Sequence, residues 1–204
     1  MLAAFMAGTV AALAVPPGVV PGVYTNEEEV YFDTLAKRVA APWTGLRIDG
    51  AAVVAVDAYG ATVNVPAGML RASSDRLTLT LADGRTSELR RARPVTCWGS
   101  VPRVLKKPDG SEDWLFERNL KLHDQGGRVA FGGGDTGAPA VVLRIHNVVW
   151  PSGPNQPSIV VYVHTPDKPD HAEAYSWADP GTRRVGINLR WMQASCTIEQ
   201  ETRP

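Results

Sequence analysis

The chain has 204 residues, 21 Lys+Arg against 21 Asp+Glu, a formal net charge of zero and 44% apolar residues. That balance can bury a core, and it excludes wholesale disorder, a polybasic nucleic-acid binder and a long charged tail. Nineteen glycines and sixteen prolines exceed the average share, which predicts many turns and therefore many short strands.

In chain order, residues 1–14 read MLAAFMAGTVAALA, with no charged side chain. The apolar run is shorter than the roughly 20 residues that span a bilayer. Ala12-Leu13-Ala14 has the small-x-small cleavage pattern, so a secretory signal cut after Ala14 is expected, although no Lys or Arg precedes the run. A buried first strand or helix is the alternative. The expected location is periplasmic or secreted, with no membrane anchor left after cleavage. Residues 15–23 form an extended, proline-interrupted lead-in. A helix is expected over 27–38, with Asn26 as cap, Glu29 as its capping-box partner and Glu27-Glu28-Glu29 on the positive end of the dipole. Lys37 and Arg38 suit its other end, Pro42 prevents continuation, and Val30, Tyr31, Thr34 and Leu35 share a face.

The remainder reads as strand and turn. Leu46–Ile48 and Val53–Val56 are short runs broken by Asp49-Gly50 and Gly60. Residues 77–81 alternate, and Asp83-Gly84 turns them back into Thr86–Leu89. Val104-Leu105 and Trp114–Phe116 flank a Pro108-Asp109-Gly110 turn. Leu120–Leu122 and Val129–Phe131 surround Gln125-Gly126-Gly127 as a second turn. Val141–Trp150 and Ser158–Thr165 are the two strongest strands, and Arg184–Ile198 is the last. One β-rich domain over 24–198, with a polar tail at 199–204, is expected.

The chemistry-bearing residues are few. Cys97 and Cys196 lie outside any CxxC pair, so in an oxidising compartment a disulfide between them is expected, with two buried thiols as the alternative. If 141–150 and 158–165 form a hairpin, Leu143, Ile145, Val161 and Val163 share one face, and Arg144, His146, Tyr162 and His164 share the other. These four form the candidate ligand-binding face. His146 and His164 are expected as diagonal or near-diagonal neighbours; His123 or Asp124 would be the third group of a metal site, but no spacing fixes it, so neither a metal nor a cofactor is expected. Trp150 and Trp177 beside Pro/Gly loops are the tryptophans expected to be exposed, which suits stacking on a glycan.

Asp135-Thr136-Gly137 resembles the nucleophilic turn of aspartic proteases, but Gly132-Gly133-Gly134 stands where that family needs an apolar strand. The same glycines are followed by Ala138-Pro139 and a β-branched run, which does not open a phosphate-binding helix. No GxSxG elbow or paired Cys–His is present, so catalytic residues are not assigned. The expected fold is all-β and mostly antiparallel with one short N-terminal helix, either a calycin-like barrel (by fold-level analogy alone) or a two-sheet sandwich. The expected function is a binding module for a small molecule, a glycan or another envelope component, with no nucleic-acid partner. Alternatives are an envelope-polymer hydrolase using Asp57, Asp135 and His146, and an interaction protein using Trp-rich loops.

Overall fold

The computed structural model describes residues 13–73, 76–150 and 156–200. Of the expected signal segment, residues 1–12 lie outside that range, and Leu13 is buried. No helix among the described residues is long and apolar enough to cross a membrane.

Among the described residues, fourteen strands form three antiparallel sheets, accompanied by one α-helix. The six-stranded sheet contains β1 (Gly22–Thr25), β2 (Gly45–Asp49), β3 (Ala52–Val56), β4 (Gly68–Ser73), β5 (Arg76–Leu81) and β6 (Thr86–Arg91), in the order β3-β2-β1-β6-β5-β4. Its period-2 pattern is clearest in β5, where Leu77 and Leu79 are buried while Thr78 and Thr80 alternate outward. Ala55 of one edge and Leu70 of the other belong to the same buried cluster, so the sheet curls over its own core.

The other two sheets share a separate core. One is β13 (Arg184–Leu189), β14 (Met192–Ile198), β7 (Pro94–Pro102) and β8 (Trp114–His123), in that order. The other is β12 (Ala172–Ala178), β11 (Ser158–His164), β10 (Val141–Val148) and β9 (Gln125–Phe131). Leu143, Ile145, Val161 and Val163 of one sheet meet Val95, Val101, Val185 and Met192 of the other in one cluster. Among the described residues no sheet closes into a barrel. Cys97 and Cys196 stand directly opposite on β7 and β14 and form a disulfide.

Several local expectations change. The helix α1 is Glu27–Leu35, because Lys37 takes a left-handed conformation (φ 54°) that ends it short of 38. Val104 and Leu105 are not a strand; they lie exposed in the β7–β8 connection. Arg184–Ile198 is a tight hairpin, turning at Arg190-Trp191, and not one strand. Gln125-Gly126-Gly127 is the start of β9, because the chain passes from one sheet to the next at the single residue Asp124. Strands β1, β4, β7 and β12 carry weaker patterns and go unrecognised in the sequence.

The Cys97–Cys196 bond closes a separation of 99 residues across two central strands. Replacing both Cys97 and Cys196 with Ala should cost about 2–5 kcal/mol in urea unfolding relative to the bridged protein; a loss under about 1 kcal/mol would show that the staple contributes little to this fold.

Candidate functional site

Alternation on β10 and β11 divides their side chains as expected: Leu143, Ile145, Val161 and Val163 enter the core, and Arg144, His146, Tyr162 and His164 take the outer face. The register corrects one spacing. Arg144 lies opposite Tyr162, His146 opposite Val160, and His164 opposite Val142. The Arg144–Tyr162 rung therefore separates the two imidazoles, and Tyr162 sits between them, 6.4 Å from the His146 ring and 6.2 Å from that of His164. Among the described residues no three His, Cys, Asp or Glu side chains group as metal ligands.

Over Arg144 and His146 this outer face is largely closed off from solvent. The first turn of α1 covers it and delivers Glu27, 2% exposed, onto Arg144 and His146. Arg144 Nη2 donates to Glu27 Oε1, and His146 Nδ1 lies 2.7 Å from the same oxygen. Burial alone would push the Glu27 carboxyl up, but the His146 hydrogen bond and the Arg144 and His146 charges outweigh it and hold the group below its ordinary value. An ionised carboxylate can only accept, so His146 Nδ1 carries a proton. The guanidinium of Arg144 also lies 5.5 Å from the centre of the Tyr162 ring, joining the ion cluster to the aromatic surface.

Backbone geometry explains why α1 starts here. Thr25 Oγ1 accepts the Glu27 N–H at 3.3 Å and donates to the Gln125 carbonyl at 3.2 Å. Asn26 is the N-cap by position, yet its side chain makes no cap bond; it donates to the Pro42 carbonyl and accepts the Thr44 N–H at 2.6 Å. The expected capping box is thus replaced by a latch to the segment after the helix. Gly126 completes the fit: it has φ +78°, and a Cβ there would come within 2.2 Å of Glu27 Oε2.

Beside this cluster runs an aromatic cleft of about 700 Å³ lined by Trp150, Val160, Tyr162, Tyr175, Trp177 and Asp179, among others. Register places Tyr175 next to Tyr162 and Trp177 next to Val160, so successive rungs of one sheet form its floor. Tyr175 and Trp177 are each 66% exposed. Tyr31 and Phe32 of α1 meet Trp150 edge-on at 5.8 and 5.3 Å, and Tyr31 also covers the His146 ring at 4.4 Å. The helix pinned by Glu27 therefore holds the Trp150 wall.

Of the four face residues, Tyr162 alone lines this cleft. His164 is buried and donates through Nδ1 to the His171 carbonyl if neutral in the fitting tautomer; burial, with the Arg128 and Arg144 charges, holds it below the ordinary imidazole value. His123 is likewise held down by burial. Asp57 is absorbed in its own turn, accepting the Tyr59 and Ala61 N–H groups at 2.9 Å, and Asp135 is exposed in a short 3-10 turn. Glu27, Tyr31 and Tyr175 are site residues that no motif or spacing in the sequence marks. One signal was available for Glu27: three consecutive helical residues sweep about 200°, so three glutamates cannot all face water on a packed helix.

Comparisons with models of protein families, with curated proteins and with solved structures find no match to this chain.

Glu27→Gln should destabilise by roughly 2–4 kcal/mol, less than a fully sealed pair because Arg144 keeps some solvent. The pH dependence has a definite sign. A carboxyl held below its ordinary value of 4.5 contributes stability that is complete above that pH and is lost as pH falls through the lower folded value. Wild type should thus lose stability on acidification more steeply than Glu27→Gln in urea titrations run from neutral to acid pH, and parallel curves would contradict the assignment. Gly126→Ala should cost about 2 kcal/mol or more, since it adds both a clash with Glu27 and a strained positive φ; a neutral effect would mean Glu27 is not held there.

Proposed function

We propose that the protein is an exported binding module that takes a neutral glycan chain of the envelope or its surroundings in the aromatic cleft beside α1. The observation that carries this reading is the clustering of Trp150, Tyr162, Tyr175 and Trp177 around one cleft, with Tyr175 and Trp177 exposed. The C–H face of a pyranose packs on such rings as another apolar face would, while Asp179 and Ser158 supply polar groups to its hydroxyls. The cleft's volume falls within the range of about 300–1,000 Å³ usual for ligand clefts. Among the described residues Asp179 is the sole carboxylic acid lining it and no basic residue does, which favours uncharged sugars.

Rigidity supports the same reading. Trp150 is braced by Tyr31 and Phe32, and Tyr162 by Arg144, so two of the rings are ordered before a ligand arrives. In fold terms we read the two four-stranded sheets as a two-sheet sandwich, with the curled six-stranded sheet alongside it. The Cys97–Cys196 disulfide supports assembly in an oxidising compartment, hence export.

The test is a titration followed by tryptophan fluorescence, with N-acetylglucosamine oligomers and cello-oligosaccharides as probes. Trp177→Ala should weaken binding about tenfold or more, as expected for an anchor residue. It should change stability by no more than about 0.5 kcal/mol, because the ring is exposed. Absence of binding to both oligomer series, or equal binding by Trp177→Ala, would overturn the assignment.

A further inference from the structure

A second cleft, of about 470 Å³, lies between the six-stranded sheet and the sheet that carries β10, and its chemistry is opposite to that of the aromatic cleft. Arg76, Arg90, Arg91 and Arg93 all line it, and among the described residues the acid lining it is Asp124. We propose that this cleft is a binding site for a small organic oxyanion, a molecule carrying a phosphate or carboxylate group on a hydroxylated body.

Three of these arginines, Arg76, Arg90 and Arg93, are placed by carboxylates behind them, and Arg91 Nη2 donates to the Pro21 carbonyl at 3.3 Å. Glu28, the second residue of α1, accepts from Arg90 Nη1 at 2.5 Å and lies 3.8 Å from Arg76 Nη2. Its Oε1 also accepts the Val149 N–H at 3.0 Å, which fixes the carboxylate against the end of β10. Asp124, fully buried, accepts from Arg93 Nε at 2.6 Å and from the Arg93 backbone N–H at 2.7 Å. Arg93 Nη1 reaches the Pro180 carbonyl at 3.2 Å. A guanidinium has five donors in a rigid fork, so the carboxylate behind Arg76, Arg90 or Arg93 orients the plane without using all of them.

Gathering these side chains on one concave wall is electrostatically unfavourable unless anions meet them, and low-dielectric walls focus the positive potential into the cleft. An anion entering would accept charge-assisted, bidentate hydrogen bonds from forks already oriented. The floor, with Asp124, Gln125 and Asn147, is polar, which suits a hydroxylated body better than an acyl chain. The volume is in the range of about 300–1,000 Å³ for small-molecule sites, larger than a bare inorganic ion requires.

Isothermal titration calorimetry of the full chain at low salt, with glucose 6-phosphate, glucuronate and glucose as probes, tests this. At least one of the two anions should bind, glucose should not, and the anion that binds assigns the group recognised. Arg76→Gln, whose side chain is 42% exposed and can be lost without opening the core, should weaken that binding about tenfold or more. Arg90→Lys keeps the charge opposite Glu28 but loses the fork, and it should weaken binding as well. Trp177→Ala should leave it unchanged, which separates this site from the aromatic cleft. No binding of either anion, binding of glucose as tight as that of the anions, or full binding by both arginine variants would overturn the proposal.

Discussion

Glu27 carries a full negative charge at a position sealed from water, and a charge there persists only if its lost hydration is replaced. Arg144 and His146 replace it on one side, while Gly126 leaves the space for the carboxylate on the other. Removing Arg144 or His146 would strand the acid, and removing the acid would strand Arg144 between a helix and a sheet. The cluster is thus less a source of extra stability than a constraint: it permits one placement of α1 on β10 and penalises others. Nonpolar residues at these three positions could pack as well, but they would not specify that placement as narrowly.

From this fixed point the helix organises both sides of the molecule. Tyr31 and Phe32 brace Trp150, and Arg144 passes from the carboxylate to the ring of Tyr162. The next residue along, Glu28, turns about 100° away and orders Arg90 at the opposite, cationic cleft. Two adjacent acids in a helical first turn therefore set the walls of two clefts with contrasting chemistry. The helix dipole, which favours acids at that end, makes the first turn a natural place for both.

The strand pattern was legible wherever one face of a strand is buried and the other is not. Residues 77–81 and the β10–β11 pair alternate clearly, and the residues of the β10–β11 pair divide from sequence alone into the two faces that the register shows. Strands such as β12, where Ala172, Ala174 and Ala178 form the inner side, have too little apolar contrast to read, and β7 interrupts its pattern with Gly99, where a Cβ would strike Phe131. The outer face was legible as a group of four polar residues, but its covering was not. Glu27 looks like an ordinary dipole-stabilising residue until the sheet it meets is known, because nothing in local periodicity couples positions 117 and 119 residues apart. A charged residue in a strand as apolar as β10 does signal, on energetic grounds, that a buried counter-charge exists somewhere in the chain.

The most direct measurement is a double-mutant cycle on Glu27→Gln and Arg144→Gln, with unfolding free energies from urea titration at neutral pH. If the buried pair is the constraint that seats the helix, the two changes are strongly non-additive, with a coupling energy above about 1 kcal/mol. Additivity within about 0.5 kcal/mol would mean that the two side chains do not act on one another, and the helix would then be held by something else.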